Sequence, residues 1–232
     1  MSKTKIEWCD YTVNPVKGKC PVACPYCYAR RMYDRFKWNP EIKYLSIDKV
    51  NSDISTIDNA RGSAGLNKRI FVGSTMELFG EWVAEDYLRQ LFTVITGWPE
   101  HTFIFLTKRP ENLIKWSPFP PNCWVGFSAT DSNSCLHGLL QMRDSVKAAV
   151  KFISLEPLLG EIPFTGEEYQ AAGISWVIIG QQTPANYKTA PKEIWIQQIR
   201  DSCDKVQIPY FLKENLRILP HAILDYHADF PA

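Results

Sequence analysis

No uninterrupted apolar run in the 232-residue sequence approaches the roughly 20 residues that a membrane-spanning helix needs. The first residues, Met1-Ser2-Lys3-Thr4-Lys5-Ile6-Glu7, lack the apolar stretch of a secretory signal. The expectation is a cytoplasmic protein with no membrane association. A surplus of charge is missing too, because 26 lysines and arginines meet 25 aspartates and glutamates for a net +1. That balance excludes a whole-protein attraction for nucleic acid and leaves only a local basic patch as a route to one. A disulfide framework is also absent. Seven cysteines are an odd set, and three of them crowd into eight positions, which suits a reduced compartment and a metal better than paired bridges. With 45% hydrophobic and 22% charged residues the composition is that of an ordinary globular protein, and the length predicts a single domain over 1–232.

What is present is the cluster Cys20-x-x-x-Cys24-x-x-Cys27. Three thiolates are one ligand short of the four that close a structural zinc site or an ordinary [4Fe–4S] cluster, so a group from outside can bind the metal. In a zinc reading the fourth ligand comes from Cys9 or from His101, His137, His221 or His227. The spacing lacks the paired pattern of zinc modules, which favours a cluster. Cys9, Cys123, Cys135 and Cys203 stand singly and are expected to be small buried hydrophobes.

Around the cluster the chain has a rhythm. A β-prone run at 11–16 delivers it into the cysteine loop, and Pro25 suits the first turn of a helix over 27–36 with Tyr28, Met32 and Phe36 on one face. A polar stretch at 46–69 reads as a surface excursion, helical around 47–57. Apolar runs then recur at 70–73, 102–107, 123–127, 150–154, 176–180 and 209–212. Runs of this kind are buried on both faces in parallel sheets. Helical patterns lie between them at 84–96, 110–116, 131–146 and 191–204. This alternation predicts an α/β fold: a partial (β/α) barrel of about six to seven parallel strands, TIM-barrel-like.

In such a fold the site gathers at the carboxyl ends of the strands. Those ends read Gly73-Ser74-Thr75-Met76-Glu77, Thr107-Lys108-Arg109, Ser128-Ala129-Thr130-Asp131, Leu155-Glu156-Pro157, Gly180-Gln181-Gln182-Thr183 and Lys213-Glu214. Nearly all are polar or charged, which a purely structural sheet does not require. Lys108 and Arg109 precede a helical stretch whose dipole opposes cations at its start, so function is the better reason for them. Glu156 is read into the site by its strand-end position. Ser128 and Thr130 are read either as site residues or as caps of the helix from Asp131. Tyr26 and Tyr28 are read either as pocket or as core aromatics, and Trp8 and Trp38 as tryptophans placed to line a pocket.

These residues resemble the signature of the radical S-adenosylmethionine superfamily, with the aromatic Tyr26 directly before Cys27 and the loop directly after the first strand. Further segments resemble a small phage-associated family of radical-SAM-like proteins: Ile6-Glu7-Trp8, Asn14-Pro15-Val16, Cys27-Tyr28-Ala29, Phe71-Val72-Gly73-Ser74 and Leu106-Thr107-Lys108-Arg109-Pro110. Ser154-Leu155-Glu156-Pro157-Leu158-Leu159-Gly160 and Trp176-Val177-Ile178-Ile179-Gly180 extend the likeness over almost the whole chain. Two departures stand out. The first two cysteines are closer together than that family often has them, which matches the superfamily spacing. Gly180-Gln181-Gln182-Thr183 replaces the family's more usual Gly-Gly-Glu-Ser, so a carboxylate is missing there.

The resemblance implies a radical SAM enzyme on a partial barrel. Cys20, Cys24 and Cys27 would hold three irons of a [4Fe–4S] cluster, leaving the fourth to the amino and carboxylate groups of S-adenosylmethionine. One electron, from a donor such as a flavodoxin or ferredoxin, would cleave that molecule to methionine and a 5′-deoxyadenosyl radical that abstracts hydrogen from the substrate. By position, Gly73, Ser74 and Thr75 resemble the motif that contacts the methionine amino group. Ser128 is placed for the ribose or carboxylate, and Tyr26 for the adenine. Lys108, Arg109 and Glu156 are candidates for the methionine carboxylate or the substrate, for which a nucleotide or nucleic-acid base is the candidate class. The competing reading is a non-catalytic phage accessory protein that binds metal or nucleic acid and keeps a structural zinc or iron–sulfur site. The polar strand ends favour the enzyme.

Overall fold

The near-continuous apolar runs become parallel strands in the computed structural model, which describes residues 1–59, 67–219 and 228–231. The chain divides into two units, Met1–Arg109 with Phe119–Trp124 and Pro110–Pro118 with Val125–Ala232.

The first unit carries β1 (Ser2–Lys3), β2 (Tyr11–Val13), β3 (Val16–Lys17), α1 (Tyr28–Phe36), β4 (Lys43–Tyr44), α2 (Ile47–Asn59), β5 (Arg69–Val72), α3 (Glu85–Thr96) and β6 (Thr102–Thr107). Its main strands neighbour one another in the order β1-β2-β5-β6. β2 and β5 pair parallel, as do β5 and β6, while the short β1 is antiparallel to β2. The predicted strand at 11–16 is split. Pro15 has no N–H to give a ladder, so pairing with β5 ends at Val13 and the chain resumes as β3, antiparallel to β4.

Ile70, Val72, Phe103, Ile104 and Phe105 are buried, and α3 covers them with Leu88, Leu91 and Ile95 at helical spacing. Phe79, Phe92, Phe105 and Phe119 form a cluster of tilted and edge-on rings with centroids 5.4–6.1 Å apart. Asn122 donates through Nδ2 to the carbonyls of Ile95 and Trp98, both at 2.9 Å, and so satisfies the end of α3. The polar stretch 46–69 holds α2, whose Val50, Ile54 and Ile57 are buried on one stripe. Residues 60–66 of that stretch lie outside the described residues.

In the second unit a 3-10 helix (Pro110–Trp116) is followed by β7 (Cys123–Ser128), of which Val125 onward belongs to this unit. Then come α4 (Ser132–Ser145), β8 (Val150–Leu155), α5 (Gly166–Ala171), β9 (Ile174–Ile179), α6 (Glu193–Lys205), β10 (Tyr210–Leu212) and a second 3-10 helix (Glu214–Ile218). The strands neighbour one another in the order β7-β8-β9-β10, with β8–β9 and β9–β10 parallel. The helix expected at 110–116 is therefore 3-10, and α5 is an element the apolar pattern did not signal. It is short and starts where Glu168 accepts the Thr165 N–H at 2.8 Å. Gly138 lets α4 lie close on β7, since a Cβ there would overlap the Phe127 ring. Alternating strands and helices with largely parallel pairing make this an α/β fold, the predicted class. Among the described residues no helix is long and apolar enough to cross a membrane.

The start of α4 yields a prediction. Asp131 Oδ1 accepts the Ser134 N–H at 2.9 Å and Ser134 Oγ accepts the Asp131 N–H at 3.2 Å, closing a capping box. The Ser134 N–H holds the Asp131 carboxyl below its ordinary 3.8 against the opposing effect of partial burial. A depressed carboxyl stabilises the fold above its unfolded value, and the contribution is lost as pH falls through the lower folded value. Asp131→Ala should cost about 1 kcal/mol at neutral pH. In urea unfolding the gap to wild type should narrow below pH 3.8; a gap independent of pH would contradict the cap.

Candidate functional site

The cysteine loop leaves β3 at Gly18 and is pinned at both ends. Gly18 donates its N–H to Tyr33 Oη at 2.8 Å, and Lys19 donates its N–H to the Pro40 carbonyl at 2.9 Å. Two tight turns follow, closed by Ala23 N–H to the Cys20 carbonyl (3.4 Å) and Cys27 N–H to the Cys24 carbonyl (3.1 Å). Arg30 reaches back from α1 to the Cys20 carbonyl at 2.5 Å. Cys27 is the N-cap residue of α1.

The seven cysteines, all free thiols, fall into two groups. Cys20, Cys24 and Cys27 are partly exposed; Cys9, Cys123, Cys135 and Cys203 are buried. Burial pushes the thiols of Cys123, Cys135 and Cys203 up to about 12, so they are poor ligands and packing residues, as their isolation in the sequence predicts. The Cys20 thiol is also pushed up by burial, against backbone N–H groups of Glu77 and Val22 that pull it down.

The segment that follows β5 is held from three directions. Gly73 has φ +82, and a Cβ there would meet Leu78 Cδ1 at 2.6 Å, so only glycine fits the turn out of β5. Asn14, at the end of β2, accepts at Oδ1 from Ser74 Oγ (3.1 Å), Thr75 N (3.2 Å) and Thr75 Oγ1 (3.2 Å). Tyr28, the first residue of α1, donates its hydroxyl to the Ser74 carbonyl at 3.0 Å. The Ser74 and Thr75 hydroxyls thus spend their protons on Asn14 and keep lone pairs to offer a cationic donor.

Glu77 completes the shelf. Its buried carboxylate accepts from Thr107 Oγ1 (2.7 Å), Lys108 N (2.7 Å) and Phe79 N (3.1 Å). Burial raises its pKa, and these three donors oppose the rise. Thr107 Oγ1 also accepts the Arg109 N–H at 2.9 Å. Lys108 Nζ lies 5.3 Å from the centre of the Tyr26 ring, and the Arg109 guanidinium 6.0 Å from that of Trp82.

The first unit therefore gathers Cys20, Tyr26, Gly73, Ser74, Thr75, Lys108 and Arg109 around the ends of β2, β5 and β6. Ser128 and Glu156 belong to the second unit. There Asp131 and Ser134 cap α4, and Thr130 donates its N–H to Ser134 Oγ at 2.9 Å, so capping involves Thr130 but not Ser128. Glu156 Oε1 is paired with Lys213 Nζ at 2.5 Å. Gln181 is buried and bound to Asn215: Gln181 N donates to Asn215 Oδ1 at 3.2 Å, and Asn215 Nδ2 to the Gln181 carbonyl at 2.8 Å.

Asn14, Glu77, Thr107 and Lys213 were not given roles by sequence reasoning. The signal for Glu77 was available: a carboxylate among Met76, Leu78 and Phe79 must be buried, and a buried carboxylate must be hydrogen-bonded. The expectation that Trp8 lines a pocket is corrected. Trp8 is core, 4.8 Å from Phe71, and Trp38 lies on the surface. Tyr28 is exposed rather than core. Of the proposed zinc donors, Cys9 and His101 are buried, His137 Nε2 lies 3.1 Å from Glu111, and His221 and His227 lie outside the described residues. Among the described residues no three Cys, His, Asp or Glu side chains are grouped as metal ligands. The donor chemistry nevertheless fits a three-thiolate site, with three free and accessible sulfurs on one short loop.

Two outcomes test this site. Glu77→Gln turns an amide NH2 toward donors that need an acceptor, and should cost about 1–3 kcal/mol in denaturant unfolding; an unchanged midpoint would remove Glu77 from its central place. In chelator-treated, reduced protein, iodoacetamide should modify Cys20, Cys24 and Cys27 quickly and the four buried cysteines only on unfolding. Uniform labelling would refute the division.

A family model described as "Protein of unknown function (DUF5131)" matches residues 3–222. No curated protein matches the sequence. Among solved structures, the chain is similar to a mutant spore photoproduct lyase with bound AdoMet and dinucleoside spore photoproduct, at 13% identity and a TM-score of 0.49. The match takes in 99% of this chain and 65% of that one, so this chain spans about two thirds of the other's length. The family match runs from the third residue to beyond the last strand, and the chain belongs to the family of proteins of unknown function DUF5131.

Proposed function

We propose that this protein is a radical S-adenosylmethionine enzyme, with Cys20, Cys24 and Cys27 as the thiolates that hold a [4Fe–4S] cluster and leave one iron open. The observation that carries the reading is the hydrogen bond from the Tyr28 hydroxyl, one residue past Cys27, to the Ser74 carbonyl at 3.0 Å, which joins the end of the cysteine loop to the polar shelf after β5. When bound, the cluster supplies the electron that cleaves S-adenosylmethionine and so starts hydrogen abstraction from a substrate.

The chain's own residues would bind and orient. Ser74 and Thr75, fixed by Asn14, present lone pairs suited to an ammonium group. Lys108 and Arg109 supply cations for a carboxylate, and Glu77 fixes their backbone by accepting the Lys108 N–H. Tyr26 offers an aromatic face for adenine, already engaged by Lys108. In the second unit, Ser128 offers a hydroxyl at the end of β7. There too Glu156 Oε1 and Lys213 Nζ form an ion pair that fixes both side chains at the ends of β8 and β10.

Anaerobic purification should give about four irons and matching sulfide per chain. Reductant with S-adenosylmethionine should then release 5′-deoxyadenosine, and replacing the three cysteines by alanine should abolish both. Bound zinc without nucleoside would replace this reading with that of a structural metal site. Ser74→Ala with Thr75→Val should raise the Kd for S-adenosylmethionine about tenfold, the worth of one or two lost hydrogen bonds, without lowering the iron content.

A further inference from the structure

We infer that the exposed face of α1, with the chain that follows it to β4, binds single-stranded nucleic acid. The inference stands on this surface alone and does not depend on the chemistry proposed for the cysteines.

The sequence builds α1 with an apolar stripe at i, i+4 and i+8: Tyr28, Met32 and Phe36. A helix in a globular protein ordinarily turns such a stripe to the core. Here the only buried residue of α1 is Ala29, and Tyr28, Met32 and Phe36 are 41%, 36% and 51% exposed. Trp38 extends the patch at 48%. Single exposed apolar residues are common, but these adjoin one another. The Phe36 and Trp38 rings stack at 5.4 Å and 24°, and Tyr33 meets Trp38 edge-on at 5.4 Å. A contiguous aromatic surface that forgoes burial marks an interaction site.

Charge decides the partner. From Lys17 to Lys43 there are seven basic residues, Lys17, Lys19, Arg30, Arg31, Arg35, Lys37 and Lys43, against only Asp34 and Glu41. The whole chain is balanced to within one charge, so this segment is a local concentration of basic residues, of which Arg31, Arg35, Lys37 and Lys43 are exposed. Asp34 is already paired with Lys19 at 2.5 Å and Glu41 with Lys43 at 3.7 Å. Arg35 lies 5.3 Å over the Phe36 ring, which places a cation at the edge of the aromatic stack. Phosphates complement the cations, and unpaired bases complement flat exposed rings. Bases inside a duplex are stacked on one another and cannot reach such rings, so the partner is single-stranded.

The test is fluorescence anisotropy with a labelled oligonucleotide of about 12 nucleotides, titrated from about 50 mM salt upward. The single strand should bind, more tightly than its duplex, and weaken as salt rises. Phe36→Ala with Trp38→Ala should weaken binding about tenfold or more and leave the salt slope unchanged. Arg35→Gln with Lys37→Asn, where asparagine tolerates the left-handed backbone of Lys37 (φ 52), should reduce the slope by about one per lost phosphate contact. The triple cysteine-to-alanine variant should bind as wild type, which separates this outcome from failure of the radical chemistry. All of these side chains are at the surface, and thermal melts should show each variant folded. The inference is overturned if the oligonucleotide does not bind, if duplex binds equally well, if the aromatic variant binds as wild type, or if polyglutamate or anionic lipid vesicles compete with equal affinity.

Discussion

The Glu77 carboxylate, buried and surrounded by three donors, is the contact on which the arrangement of the first unit's site depends. A parallel ladder sets the spacing of β5 and β6, but it says nothing about the loops that leave them. Glu77 follows β5, and two of its donors, Thr107 Oγ1 and Lys108 N, sit where β6 ends. Its hydrogen bonds therefore lock the two strand ends to one another, and the cost of burying the charge is offset only while all three donors stay in place. Three residues earlier the same segment accepts, at the Ser74 carbonyl, the hydroxyl of Tyr28, the residue after Cys27. One short segment thus ties together the cysteine loop, the hydroxyls of Ser74 and Thr75, and the cation of Lys108.

The second unit solves the same problem with different groups. Glu156 after β8 pairs with Lys213 after β10, and Gln181 after β9 is tied by reciprocal hydrogen bonds to Asn215. Strand-end polar residues satisfy one another, because the apolar strands beneath them offer no partners. Truncating one member of the Glu156–Lys213 pair would take this ion-pair contact from a partly buried charge, so the two belong together in any account of that site.

In α1 function and stability part company. Its stripe of Tyr28, Met32 and Phe36 is what a core-facing helix would carry, yet the helix turns it outward. Burying even one such side chain stabilises a fold by roughly 1.5–3 kcal/mol, and the protein forgoes that. What anchors α1 is polar and local: Arg30 to the Cys20 carbonyl, Tyr33 Oη to the Gly18 N–H and Tyr28 to the Ser74 carbonyl. These bonds hold the helix start against the cysteine loop while its aromatic side stays open.

Periodicity and strand-end chemistry carried a good part of the result. Short apolar runs rich in β-branched and aromatic residues, such as Thr102–Thr107, alternate with helical patterns, so the α/β class followed from them, and the polar character of the strand ends was read directly. Cys20, Cys24 and Cys27 stood out because spacing is a property of the chain itself. Other features were not legible. Pro15 broke the first strand, and the helix read around 47–57 turned out to bury Val50, Ile54 and Ile57 rather than lie wholly at the surface. No pattern in the sequence said that Asn14 would hold Ser74 and Thr75, that Glu77 would hold Thr107, or that Lys213 would meet Glu156. Local pattern determines which residues form a strand or a helix and where a ligand-bearing loop lies. Which polar groups meet across 30 to 60 positions, and which face of α1 is left open, are decided by long-range packing, because those contacts exist only once distant strand ends have been brought side by side.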